Sequence, residues 1–198
     1  MNTVFSGKGN IKALLVSATP KAAEFFADLS EEARIAKIVC VETAGQAKRE
    51  LINSNFDILI INTPLSDDFG IQLALDVAES GGTGVLIIVR ADMYEQVVCK
   101  VEDYGVLTLA KPISRQLAFQ TLKLITATVN KLKKYSQKAM SLEEKMEEIR
   151  LVNRAKWILI EQHKMSEAEA HRYIEKRAMD FCQKKKDIAI NIIKTYEH

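Results

Sequence analysis

Five short runs dense in Val, Ile and Leu recur along the first 110 residues, at 11–16, 36–41, 57–61, 85–89 and 106–110. Continuous apolar runs of this length suit strands buried on both faces of a parallel sheet. Between them lie segments of helical length and period at 20–29, 44–53, 70–80 and 93–104, and a further one opens at Ser114. Pro20 stands where a first helical turn tolerates proline, and Thr43 stands where a side-chain cap is wanted. Strict alternation of the two patterns implies an open α/β sheet with helices on both faces. Right-handed crossovers leave few topologies, of which a five-stranded parallel sheet in the order 2-1-3-4-5 is the economical one.

In such a sheet, function collects at the carboxyl ends of the strands. Ser17 and Ala18 follow the first run, and Asn62 ends the third. Arg90 and Ala91 follow the fourth, and Lys111 and Pro112 the fifth. Over residues 10–125 this frame resembles the receiver domain of two-component response regulators, a flavodoxin-like fold. The resemblance implies an acidic pair after the first strand and a phospho-accepting Asp after the third, together holding a divalent metal. It also implies a Thr or Ser after the fourth strand and a Lys after the fifth. Lys111 matches. Ser17 and Ala18 stand where the acidic pair belongs, Asn62 where the acceptor belongs and Arg90 where the hydroxyl belongs.

The chemical consequence is direct. Mg²⁺ takes hard oxygen ligands, usually including carboxylates, and a side-chain amide cannot form an acyl phosphate. A pseudo-receiver is therefore expected, not phosphorylated by the usual route. Arg90 and Lys111 are expected to leave its pocket cationic, with a small anionic ligand or a regulatory protein as its controlling partner. Asp67 and Asp68, in a loop begun by Pro64, read as solvated loop carboxylates.

After Pro112 the chain has neither Gly nor Pro as far as Ser136. Leu122, Ile125, Val129 and Leu132 repeat at the 3-4-3 spacing of a coiled-coil seam. Leu122 and Ile125 are expected to pack on the sheet. Val129 and Leu132 are expected to lie beyond its reach and to form a homodimer. The phase slips after Ser136 and Ala139, then resumes with Leu142, Met146, Ile149 and Asn153. Such a slip either overwinds the supercoil locally or marks a break between helices, and the capping-box spacing of Ser141 and Glu144 is compatible with a break. Three parts result: a receiver-like domain at 1–120, a connector helix at 121–140 and a helical head at 141–198.

A second capping-box pattern, Ser166 with Glu169, opens another helix in the head, and Lys184, Lys185 and Lys186 lead into a third, shorter one. Ile149, Val152, Leu159, Met165, Ile174, Ala178, Ile188, Ile192 and Ile193 are its expected core. Residues 1–130 carry 12 Lys+Arg against 15 Asp+Glu, whereas residues 131–198 carry 16 against 11. The basic excess on the tail permits nucleic-acid contact.

Over residues 142–193 the tail resembles the ANTAR family, the RNA-binding antiterminator output domain of some response regulators. Arg154-Ala155-Lys156 falls on the family's Ala-Lys. Ser166 to Ala170 falls on its Ser-Glu-Glu-Glu-Ala helix start. Ile174 with Arg177 to Asp180, and Asp187-Ile188-Ala189 before Ile192 and Ile193, complete the match. One departure is Trp157, where the family has Gly: either the local packing is wider or the indole is exposed. The resemblance implies binding to hairpin loops in nascent transcripts, which prevents a terminator from forming. Expected RNA contacts are Arg154, Lys156, His171, Arg172, Arg177 and Lys184 to Lys186, with Tyr173 as a possible stacking platform.

Other classes are disfavoured. No apolar run approaches the roughly 18–20 residues that span a bilayer, and the first residues have no apolar core of the kind secretion uses. Cys40, Cys99 and Cys182 are far apart and in no CxxC spacing, which fits reduced thiols in a cytoplasm. His163, His171 and His198 form no metal pattern, and no nucleophile–base pair or phosphate loop points to an enzyme or a cofactor. Two rivals remain open: a DNA-binding regulator and a pure protein-interaction module.

Overall fold

The computed structural model describes residues 3–7 and 9–196. His198 lies outside them. The chain divides into two compact units, Met1–Lys134 and Tyr135–His198. In order, the elements are β1 (Thr3–Ser6), β2 (Ile11–Ser17), α1 (Pro20–Ser30), β3 (Ile35–Val41), α2 (Ala44–Asn53), β4 (Ile58–Asn62), α3 (Ile71–Ser80), β5 (Gly84–Arg90), α4 (Tyr94–Val101), β6 (Leu107–Lys111), α5 (Arg115–His163), α6 (Glu167–Asp180) and α7 (Lys185–Tyr196).

The described strands form one sheet in the order β1-β3-β2-β4-β5-β6. Strands β2 to β6 are mutually parallel and reproduce the expected five-stranded arrangement. The sixth strand was not anticipated. β1 pairs antiparallel with β3, Val4 opposite Val39. Its sequence, Thr-Val-Phe-Ser, lacks a long apolar run because it is an edge strand, with Val4 49% exposed.

Alternate residues of each strand serve opposite faces. Leu14, Val16, Leu59, Ile61, Val85 and Ile87 meet α2, α3 and α4 in one core. Ala13, Leu15, Ile58, Ile60, Leu86 and Ile88 meet α1 and α5 in the other. α5 approaches the sheet most closely at Gly84. A Cβ built there would lie 2.7 Å from Ile125 Cγ1 and 2.9 Å from Val129 Cγ2. This contact corrects one expectation: Val129 is 1% exposed and belongs to the core of the first unit. The sheet reaches one helical turn further than its strand count alone implied.

α5 also runs without interruption through Ser141. An N-cap residue needs extended backbone, and Lys, Glu, Ala, Met and Leu across 138–148 favour helix throughout. The capping-box spacing there is therefore coincidental. What changes is the exposed stripe. From Leu132 the apolar side runs through Tyr135, Ala139, Leu142, Met146 and Ile149 to Asn153 at an unbroken 3-4 alternation. Leu132, Leu142, Met146 and Ile149 are 51–64% exposed. Ile149, expected in the core of the head, is on this stripe.

In the second unit the last turns of α5 pack with α6 and α7. Val152, Ala155 and Leu159 meet Ala170, Ile174 and Ala178 of α6, and Ile188, Ala189 and Ile192 of α7. The capping box opening α6 is complete: Ser166 Oγ accepts from Glu169 N, and Glu169 Oε2 accepts from Ser166 N at 2.8 Å. No helix among the described residues is long and apolar enough to cross a membrane.

Candidate functional site

Each unit carries one candidate site. The first is the carboxyl edge of the sheet. Register alone brings Ser17 opposite Asn62 and Arg90 opposite Lys111. Asn62 Nδ2 donates to Ser17 Oγ at 2.9 Å and lies 3.4 Å from Thr19 Oγ1, while the Ser17 and Thr19 hydroxyls are 3.1 Å apart. Ser17 is 8% exposed, and Ala18 is exposed beside it. The positions of a receiver's metal and phosphate chemistry are thus filled by a neutral amide–hydroxyl network.

The two expected cations are placed differently. The Arg90 guanidinium points to Asp92, with Nε 2.9 Å from Oδ1 and a second bond from the terminal nitrogen to Oδ2. That pairing holds the Asp92 carboxyl below its ordinary range. The Lys111 ammonium donates to the Thr63 carbonyl, and burial pushes its pKa below the usual lysine value. Arg90 is thus paired with a carboxylate two residues away, while the Lys111 ammonium remains at the end of its strand. Asp92 was the missed residue; its two-residue spacing from Arg90 was the available signal.

Asp67 is corrected as well. Its carboxylate accepts from Ala44 N at 2.9 Å and Gly45 N at 3.0 Å, at the start of α2. It is a cap supplied from another element, where free N–H groups and the helix dipole favour a negative charge. The Gly45 and then the Ala44 N–H hold its pKa below the ordinary carboxylate value. Asp68 instead caps its own loop, accepting from Gly70 N at 3.3 Å. Among the described residues no group of three His, Cys, Asp or Glu is placed to hold a metal ion.

The second place is the helical unit. Several of the expected basic contacts converge there on a groove of about 390 Å³, lined by Lys145, Glu148, Asn153, Lys156, His171 and Lys185 with Ile149 and Val152. Two of its lysines are already paired, and His171 shares a carboxylate with one of them. Lys156 Nζ lies 2.9 Å from Glu167 Oε1, Lys185 Nζ 2.5 Å from Glu175 Oε1, and His171 Nε2 3.2 Å from the same oxygen. Lys186 Nζ lies 2.5 Å from Glu147 Oε2 and holds α7 to α5. The three lysine pairs link α5 with α6, α6 with α7 and α5 with α7. Lys145 was not anticipated; it lies one turn from Ile149 on the same side of α5.

Arg154, Arg172 and Lys184 are exposed and outside the lining of that groove. Arg177 lies elsewhere: its guanidinium carbon sits 5.1 Å over the Tyr173 ring and 5.9 Å over the Phe181 ring. Tyr173 thus has its orientation fixed. Trp157 is 66% exposed, which resolves the alternative posed by its replacement of a family Gly.

Comparison with known proteins agrees with this division. Residues 140–193 match the ANTAR domain family. The transcriptional regulatory protein PdtaR of Mycobacterium tuberculosis is 26% identical over 174 residues, which cover 85% of this chain and 83% of that one. Among solved structures, the signal receiver domain of an HD-domain-containing protein from Pseudomonas fluorescens has a TM-score of 0.55 at 17% identity, covering 63% of this chain and 92% of that one. A two-component response regulator from Clostridium difficile has a TM-score of 0.54 at 17% identity, covering 61% and 99%. These structural likenesses fix the fold of the first unit. The chain therefore carries an ANTAR domain behind a receiver-like α/β domain.

Proposed function

We propose that this chain is a cytoplasmic, non-enzymatic regulator of transcription that binds RNA hairpins in nascent transcripts and so prevents terminator formation. The observation that carries the reading is the ANTAR match at residues 140–193, over a unit whose Lys145, Lys156, His171 and Lys185 line one groove. Lysine and arginine contacts to phosphates give an affinity that falls as salt rises. The relationship to PdtaR, a transcriptional regulatory protein by name, supports the regulatory role.

The first unit is read as a pseudo-receiver. Asn62 replaces the phospho-acceptor, and Ser17 and Ala18 replace the acidic pair. Control then comes from a protein partner or from assembly. The exposed stripe from Leu132 to Asn153 supports a homodimer through α5, its seam starting at Leu132 and excluding Val129. A single Asn at the end of such a seam is the kind of residue that fixes register.

The deciding experiment is a gel-shift comparison of a hairpin RNA pool with duplex DNA at two salt concentrations. Salt-sensitive binding to hairpins, absent with duplex, is expected. Preference for duplex DNA would make the chain a DNA-binding regulator. Binding to neither would leave a protein-interaction module.

A further inference from the structure

We infer that the α5 homodimer carries a phosphate-binding site that neither copy has alone, made by Lys145 of one copy and Arg150 of the partner subunit. This rests on the homodimer reading above and assigns that interface a ligand. The site takes a phosphate group, from a phosphodiester or from a free polyphosphate, and its occupancy tightens the dimer.

The positions follow from the exposed stripe. Leu132, Ala139, Met146 and Asn153 recur every seven residues, with Tyr135, Leu142 and Ile149 three residues after the first three of them. These are the a and d positions of a two-stranded coiled coil. Asn153 sets the direction. In a parallel, in-register pair it meets its own copy at an a position, amide against amide. Run antiparallel over the same stripe, it would face the apolar end at Leu132 and leave its amide unsatisfied.

The flanks then carry two charge contacts of opposite kind. In a parallel pair, each g residue lies beside the partner's e residue of the next heptad, five residues further on. Lys138 at g lies beside Glu143 of the partner subunit, an attractive pair. Lys145 at g lies beside Arg150 of the partner subunit, a repulsive one. The middle of the seam is thus held together, and its last heptad is held apart. The two-fold axis repeats both contacts on the other flank.

An anion between the two cations reverses the sign of that last contact, since it attracts both. A guanidinium offers paired donors to phosphate oxygens, and an ammonium adds a compact point charge. Both side chains are exposed, and among the described residues neither makes an ion pair within its own chain. Glu147, the carboxylate one turn before Arg150, is held by Lys186 at 2.5 Å. The site also opens onto the basic groove, since Lys145, Ile149 and Asn153 are walls of that groove. A ligand gripped by two copies binds the dimer and not the monomer, so it shifts the equilibrium toward the dimer.

The test measures the dimer dissociation constant of the full chain by sedimentation, in chloride and in pyrophosphate at matched ionic strength. Matching removes simple screening of the Lys145–Arg150 repulsion. Pyrophosphate is expected to tighten the wild-type dimer roughly five-fold or more. Arg150→Glu should tighten the dimer in chloride and abolish the response to pyrophosphate. Lys145→Glu with Arg150→Glu should restore repulsion, now between carboxylates, with no response. Lys138→Glu should loosen the dimer while the response persists. Circular dichroism confirms that each variant folds. A single-stranded RNA oligonucleotide forms a second arm: tightening by RNA alone, lost in Arg150→Glu, assigns the site to phosphodiesters. If Arg150→Glu loosens the dimer, the parallel pairing is wrong and the site is overturned. A wild-type dimer equally stable in chloride, pyrophosphate and RNA overturns the site and leaves the homodimer reading standing. A chain that stays monomeric throughout removes both.

Discussion

Asn62 Nδ2 donates to Ser17 Oγ across two neighbouring parallel strands, 2.9 Å apart, where a receiver holds its metal and its phosphate. The bond is complementary without charge. It joins the carboxyl ends of the two strands through neutral groups.

Acetyl phosphate with Mg²⁺ should therefore leave the protein unmodified, as read by intact-mass spectrometry. Asn62→Asp alone should also stay unmodified, because Ser17 and Ala18 still supply no carboxylate. Stoichiometric labelling of the wild type that disappears in Asn62→Ala would sink the pseudo-receiver reading. Asn62→Ala itself should lower the stability of the first unit by about 1 kcal/mol for the lost hydrogen bond.

Gly84→Ala should destabilise the first unit by about 1–3 kcal/mol, the usual cost of overpacking. The new methyl would meet Ile125 and Val129 below 3 Å. Urea denaturation followed by circular dichroism measures it. Adding Val129→Ala should recover part of the loss by making room, which distinguishes crowding from backbone strain.

Asp67 gives the first unit a pH dependence of known sign. Its folded pKa is below the unfolded value because the Gly45 and Ala44 N–H groups favour the carboxylate. The stability it contributes is present above about pH 4, the unfolded value, and is lost as pH falls through the folded value. Asp67→Asn should flatten the fall in the urea midpoint below about pH 4 relative to wild type.

The stripe on α5 predicts the oligomeric state. Leu142→Lys with Ile149→Lys should convert a dimer to a monomer in light scattering. Both side chains are about 60% exposed, so the thermal stability of the first unit should be unchanged. Val129→Lys should behave differently, unfolding that unit, since the position is core.

Much of the architecture was legible in the chain. The five Val, Ile and Leu runs became five parallel strands because burial on both faces demands continuous apolar sequence. The expected helix at 44–53 coincides with α2 because Thr43 does accept from Gln46 N. What escaped the sequence shares one cause: its partner is remote or weakly patterned. β1 is an edge strand defined by β3. Asp67 caps a helix 22 residues upstream, and Val129 is buried by a glycine 45 residues earlier. The groove in the second unit was foreshadowed by residue type. The pairing of its lysines with Glu147, Glu167 and Glu175 was not, since it depends on how three helices close.

Those three glutamates have a further effect. A phosphate reaching Lys156, Lys185 or Lys186 replaces a carboxylate already in place. Its gain is the difference between two ion pairs, not the whole of one. Diffuse negative charge, offered by any polyanion, is thereby discounted in advance. Preference passes to ligands whose phosphates arrive at the right spacing, a property that glutamate side chains on a helix surface do not imitate.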